Sequence, residues 1–178
     1  MEDDKEKSLE FAQVIDTKQA ETLQVLWRLV GKWRGKGVIQ FPTIPTLDYR
    51  EELEFLANDV QPFVKYEQRT WKKSESGEYV PSHWETGFWR ALSGDEIELL
   101  NAQGGGRVEV SRGKLEITGE GFVVSLNSVL VANDSRIGRT ARQFTLHADT
   151  LEYTFLMSTT SVPTLTLHTH ATLTKSET

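Results

Sequence analysis

The sequence predicts an all-β fold: a closed antiparallel barrel of roughly ten strands with one short helix near one end. Three observations predict it. After Gly31 almost every segment alternates and is rich in Val, Phe, Tyr, Trp and Thr. Turn signals separate these segments at short intervals: SESGE, LSGDE, QGGG, SRGK, ITGEG and HADT. No repeat or linker divides the chain, so many short strands must hide their edges within one domain, and closure removes edges altogether. A barrel of this strand number has room for a ligand inside. A two-sheet sandwich is the other arrangement the pattern allows.

Taken in order, residues 1–18 form a charge-rich tail expected to be flexible, and 19–178 form the single barrel domain. Between Ala20 and Val30, the residues Leu23, Leu26, Trp27 and Val30 fall at helical spacing. Strands are expected near 33–40, 47–57, 62–72, 82–91, 96–102, 106–112, 114–118, 122–131, 139–147 and 151–159, with 164–174 as a further candidate. One of these is expected to be half of a bent strand split in two.

Within the first strand, GKWRGKG places Gly31, Trp33, Gly35 and Gly37 on one face and Lys32, Arg34 and Lys36 on the other. An indole among glycines suits a plug at a barrel end, where the glycines permit bending and close approach. In FPTIPTLDY, Pro42 and Pro45 stiffen a connection that can hold Thr43 at a rim. SHWETGFWRA puts His83, Glu85, Gly87 and Trp89 on one face and Trp84, Thr86, Phe88 and Arg90 on the other. NDSRIGRTARQF is locally basic through Arg136, Arg139 and Arg142, which suits either an anionic ligand or a solvated surface. In the closing LTLHTHATLTK, simple alternation puts Leu165, Leu167, Thr169, Ala171 and Leu173 on one face. His168 and His170 share the other, looking either at water or into a cavity.

Composition narrows the function classes. The chain has 178 residues, enough for one domain with its own core, and 38% of them are hydrophobic. A net charge of −6 disfavours general nucleic-acid or anionic-membrane binding. The absence of cysteine excludes disulfides, thiolate metal sites and cysteine nucleophiles. No signal-peptide core and no apolar run of about 18 residues is present, so a soluble cytoplasmic protein is expected. Neither a nucleophile elbow nor a zinc motif stands out, and the acidic residues read as scattered along edges and turns.

Five stretches, in register, carry a resemblance. GKWRGKG fits the pattern G-x-W-x-G-x-G, and FPTIPTLDYREELEF resembles Y/F-P-T-I-x-x-F-x-Y-x-E-E. HWETGFWR resembles H-x-E-S-G-Y-F-R, AQGGGRVEV resembles A-Q-x-T-G-x-V-E-V, and MSTTSVPTLTLHTHATL resembles M-S-T-T…H-x-x-A-T-L. Across about residues 24 to 175 the chain resembles the nitrobindins, haem-binding barrels similar to fatty-acid-binding proteins. The resemblance implies haem b in one open end, with His168 as the axial iron ligand and the residue through which the iron acts. It makes the histidine face the lumen at that level. The segment before His168 is one residue longer than the pattern, which keeps His170 open as the alternative ligand. Thr43, Arg136, His83, Met157 and Trp33 are the other implied haem contacts, with Arg136 near the propionates.

The implied activity is isomerisation of peroxynitrite to nitrate by ferric haem, with nitric oxide as a related ligand. Small reactive nitrogen species are thus the implied partners, without nucleic acid or membrane, and a homodimer is left open. A non-enzymatic carrier of a fatty acid or other apolar ligand is the alternative from a different class, and a regulatory haem sensor is a third.

Overall fold

The computed structural model describes residues 17–57 and 61–176. Helix α1 (Thr17–Leu26) runs into a 3-10 turn, Trp27–Leu29. Ten strands follow: β1 (Gly31–Phe41), β2 (Ile44–Ala57), β3 (Phe63–Lys73), β4 (Tyr79–Ala91), β5 (Glu96–Gln103), β6 (Val108–Thr118), β7 (Gly121–Ala132), β8 (Ile137–His147), β9 (Thr150–Thr159) and β10 (Thr166–Lys175). Each pairs antiparallel with its sequence neighbour, and β1 pairs with β10 to close the barrel. The predicted class is therefore found. The two segments expected over 106–112 and 114–118 are one strand, β6, because Gly113 stays in its ladder opposite Leu126. The flexible tail expected over 1–18 lies outside the described residues as far as residue 16, and Thr17 and Lys18 already belong to α1.

The two ends of the barrel differ. At one end α1 and its 3-10 turn cover the opening. Leu23, Leu26 and Leu29 are buried against Trp33, Phe55, Trp89, Ile97, Phe122, Leu146 and Leu151. Polar bonds hold the lid: Thr22 Oγ1 donates to the Gly94 carbonyl at 2.6 Å and Gln19 Nε2 to the Ala91 carbonyl at 2.8 Å. Trp33 is fully buried, and its Nε1 donates to the Leu29 carbonyl at 2.7 Å. This is the plug that the glycine-flanked indole predicted. It sits six residues along β1 from Ile39 at the other end, about 20 Å at a strand's rise per residue.

Glycines matter where strands and rings crowd. A Cβ on Gly35 would collide with the Thr172 carbonyl, and one on Gly37 with the ring and hydroxyl of Tyr49. Gly37 therefore clears the space in which Tyr49 reaches the lumen.

Candidate functional site

Away from the helix, the lumen opens into a cavity of about 460 Å³. Its size falls in the range that ligand sites occupy, about 300–1,000 Å³. Ile39, Ile44, Pro45, Leu47 and Phe155 give it apolar walls; Tyr49, Gln68, His83, Glu85, Arg142 and Tyr153 give it a polar floor.

His168 lines this cavity through a local irregularity. In the β9–β10 ladder Leu167 faces Leu156 and Thr169 faces Phe155, so His168 is an extra residue with no partner. Such a bulge re-aims one side chain. The imidazole packs edge-on between Phe41, 5.6 Å away, and Phe155, 5.9 Å away. Its Nδ1 lies 3.3 Å from the Gln40 carbonyl, which suits the tautomer that donates from Nδ1 and leaves Nε2 as the acceptor. Burial lowers its pKa, against the pull of that carbonyl, with Arg107 and His83 adding to the lowering. The ring is thus kept neutral, the form that binds a metal.

The bulge also corrects the shared face expected for the two histidines. Beyond it, Ala171 and Leu173 point inward and His170 points out, beside Gln143, Glu152 and Thr172 on the outer wall. Alternation would have placed His168 outside as well; one added residue separates the pair.

Of the remaining predicted contacts, His83 lines the cavity, with Nε2 3.2 Å from Glu85 Oε2. Thr43 is an exposed residue of the β1–β2 turn, next to cavity-lining Ile44 and Pro45. Arg136 is 81% exposed and bound by Asp134 through Nε at 2.9 Å and Nη2 at 3.1 Å. It lines a neighbouring groove that shares Ser82, His83 and Arg107 with the cavity. Met157 is half-buried on β9 opposite Thr166 and is absent from the cavity wall. Trp33 is absent from it too, being the plug of the closed end. Arg107, which with Lys72 and Arg142 does line the cavity, has its Nε 2.8 Å from Glu109 Oε1 without pointing its hydrogen at it and its Nη1 3.9 Å from Asp134.

Sequence reasoning missed a set of buried ionisable groups in the lumen. Glu85, Glu51, Glu109 and Arg142 all belong to the interior. Arg142 Nη1 donates to Glu85 Oε1 at 2.7 Å and Nη2 to Oε2 at 3.2 Å, while Tyr66 donates to Oε1 at 2.8 Å. Burial alone would raise the Glu85 carboxyl, but Arg142, with help from His83, holds it well below the usual carboxylate range. Thr140 Oγ1 donates to Glu109 at 2.9 Å, and Arg142 lies 3.8 Å from the same carboxylate.

Glu51 is different, because among the described residues no cation touches it. Tyr153 donates to its Oε2 at 2.7 Å and Gln68 Nε2 to its Oε1 at 2.7 Å. Burial pushes its pKa up to about 7 against those two hydrogen bonds and a weaker one from Tyr49, and the charge of Glu85 pushes the same way as burial. The signal for these residues was present in the sequence: each stands in phase with inward apolar neighbours, as Glu51 does between Tyr49 and Leu53.

The arrangement fits a haem. A neutral histidine nitrogen is available in an apolar, ring-lined mouth, and Arg107 and Lys72 supply positive charge among the wall residues. Among the described residues no group of three or more His, Cys, Asp or Glu is placed to hold a bare metal ion. No helix of the described chain is long and apolar enough to cross a membrane.

Comparison with known proteins agrees with this geometry. Residues 22–175 match the model of the THAP4-like, heme-binding beta-barrel domain. A protein named peroxynitrite isomerase Rv2717c from Arabidopsis thaliana is 40% identical over 135 residues, covering 76% of this chain and 78% of its own length. The peroxynitrite isomerase of Nocardia farcinica is 36% identical over 148 residues, 82% of this chain and 85% of its own. The crystal structure of Rv2717c from M. tuberculosis superposes with a TM-score of 0.78 at 29% identity, covering 88% of this chain and 98% of that one. A phycobiliprotein lyase from Guillardia theta, 10% identical with a TM-score of 0.60, shares the fold alone. With the closed barrel, the inward histidine and a match over nearly all the described residues, the chain belongs to the haem-binding β-barrel family of THAP4-like domains, the nitrobindins.

Proposed function

We propose that this chain binds haem b through His168 and isomerises peroxynitrite to nitrate. The observation that carries the reading is the bulge that turns a neutral imidazole into an otherwise apolar mouth. When bound, haem supplies an iron at which peroxynitrite is rearranged, and nitric oxide is a further ligand of the same position.

The chain's own residues do the rest. His168 offers Nε2 while the Gln40 carbonyl fixes its tautomer, a hydrogen bond of the kind that orients metal-binding imidazoles. Phe41 and Phe155 pack edge-on against the ring and fix its plane. Ile39, Ile44 and Leu47 pack against the flat apolar part of the ligand. Arg107 takes a propionate in preference to Arg136, because it lines the cavity wall while Arg136 is exposed outside it and held by Asp134; Arg107 itself pairs with Glu109 and lies 3.9 Å from Asp134. Thr43 contributes from the turn and His83 from the floor; Met157 stands on β9 outside the cavity, and Trp33, the plug of the closed end, takes no part in holding the group.

The carrier reading draws less support from the floor. A fatty-acid carboxylate needs a free cation there, and Arg142 is already shared between Glu85 and Glu109.

The test is reconstitution with hemin. A sharp Soret band that shifts with nitric oxide, lost in His168→Ala and kept in His170→Ala, supports the ligand. Stopped-flow decay of peroxynitrite, with and without haem, then tests the activity. Equal rates for the two forms would overturn it.

A further inference from the structure

The mouth of the cavity accounts for haem, but its floor holds something the isomerase reading does not use. Glu51 is a fully buried carboxyl on β2, with Tyr49 on the same strand and Gln68 and Tyr66 on β3. Across the lumen it faces Tyr153 of β9, and beyond them stand Glu85 and His83 of β4 and Arg142 of β8. Arg142, Tyr66 and His83 are all committed to Glu85. Among the described residues Glu51 therefore has only uncharged hydrogen-bond partners, and its hydroxyl path to the cavity runs through Tyr153 and Tyr49.

That path is short and continuous. Tyr153 Oη lies 2.7 Å from Glu51 Oε2, and Tyr49 Oη lies 2.7 Å from Tyr153 Oη. Tyr49 and Tyr153 line the cavity, while Glu51 is not among its wall residues. A hydroxyl both donates and accepts, so a row of them can turn over as a unit. With Glu51 ionised, Tyr49 donates to Tyr153 and Tyr153 to Glu51, and the cavity meets a phenol oxygen that accepts. With Glu51 protonated, the order reverses and Tyr49 presents its O–H to the cavity.

We propose that Glu51, Tyr153 and Tyr49 form a proton relay that delivers one proton to, or removes it from, a small oxyanion held over the cavity floor. In the forward direction the Glu51 O–H bond breaks and its proton goes to Tyr153 Oη. The Tyr153 proton moves to Tyr49 Oη, and the Tyr49 proton forms an O–H bond with the oxyanion. One carboxylate and one neutral acid result, so charge and protons balance. The pKa of Glu51, pushed up by burial to about 7, makes the carboxyl able to work in both directions near neutrality. Gln68, which donates to both Glu51 and Tyr153 at 2.7 and 2.8 Å, is the positioning residue that holds the row together. The relay stands without haem; its use on peroxynitrite, a weak-acid oxyanion, rests on the proposed function.

The experiment uses the haem-free chain, so its failure and the failure of the isomerase reading remain distinct. Protein is jumped from pH 8 to pH 6 in a stopped-flow instrument with an indicator dye. Wild type should take up about one proton more than Glu51→Gln, since the raised carboxyl titrates in that window. Tyr49→Phe keeps the Tyr153 and Gln68 hydrogen bonds on Glu51 but loses its own, and it leaves Tyr153 on the cavity wall, so it should slow uptake only in part. Tyr49→Phe/Tyr153→Phe removes both hydroxyls from the wall and should slow uptake about tenfold or more, with near-ultraviolet circular dichroism as the folding check. Uptake by the double variant as fast as wild type overturns the relay. Equal extents for wild type and Glu51→Gln overturn the role of Glu51.

Discussion

The two ends of this barrel are built from the same strands and the same alternation, yet they obey different rules. At the helix end, inward residues are Trp33, Phe55, Trp89, Phe122 and Leu146, all essentially inaccessible, with aromatic rings meeting edge to face. At the other end the inward residues of the same strands become Tyr49, Glu51, Glu85, Arg142 and Tyr153. The first end gains stability from burial and dense packing. The second keeps desolvated charges in place only because nearly every one is paired or hydrogen-bonded, which adds little net stability. The contrast teaches that fold and function are divided along the barrel axis, strand by strand, rather than between separate segments of the chain.

Breaking the second end at its pivot should have the largest effect. Arg142→Leu leaves Glu85 buried without its arginine and Glu109 with Arg107 alone, and we expect a loss of about 3–5 kcal/mol at pH 7 in urea unfolding. The pH dependence gives the sign. In wild type the depressed Glu85 contributes stability that is present above its ordinary value of 4.5 and is lost as pH falls below it. Without Arg142 the carboxyl rises, so the variant should regain stability as pH falls below neutral. A uniform loss at every pH would mean that packing alone was broken.

Trp89→Ala tests the first end on a similar scale, about 3–5 kcal/mol from the cavity left behind. That loss should be independent of pH, because none of its neighbours Phe55, Tyr66 and Phe144 titrates in the accessible range. Of the two, it is the variant whose urea midpoint should keep its distance from wild type from pH 5 to pH 9.

Glu51→Gln sharpens the comparison from the opposite side. A carboxyl raised from 4.5 to about 7 contributes stability that is fully present below 4.5 and is lost as pH rises through 7. Replacing it with an amide should flatten that decline, making the variant more stable than wild type at pH 8 relative to pH 5 by about 3 kcal/mol. Parallel stability curves would place the Glu51 titration outside this window.

The smallest effects are expected at the rim. Arg136→Glu should leave stability within about 0.5 kcal/mol, as surface substitutions usually do. Hemin dissociation should rise less in this variant than in Arg107→Glu, since Arg107 is the residue that lines the cavity. The reverse order would return the propionate anchor to Arg136.

Much of this was legible in the chain itself, and each part for a local reason. Period-2 alternation and the Gly- and Ser-rich turns set the strands, and the indole among glycines in GKWRGKG marked the plug. His83, Glu85, Gly87 and Trp89 were placed correctly on one face because β4 keeps its alternation unbroken from His83 to Ala91, past the irregularity at Ser82. Composition excluded thiol chemistry outright. Five short stretches in register were enough to predict the haem-binding family.

Only the tertiary structure decided what lies opposite what. Glu51 and Tyr153 are 102 residues apart, and Arg142 and Glu85 are 57 apart. Their meeting depends on the registers of several ladders in series, which no local pattern encodes. His168 is the sharpest case. Alternation makes it a partner of His170, and both would point the same way. One unpaired residue in the β9–β10 ladder turns it inward and leaves His170 outside. The physical reason is that a strand's facing is set by counting from its hydrogen-bonded neighbour, so a single bulge reverses it, and the bulge exists only once β10 is zipped against β9 in its own register.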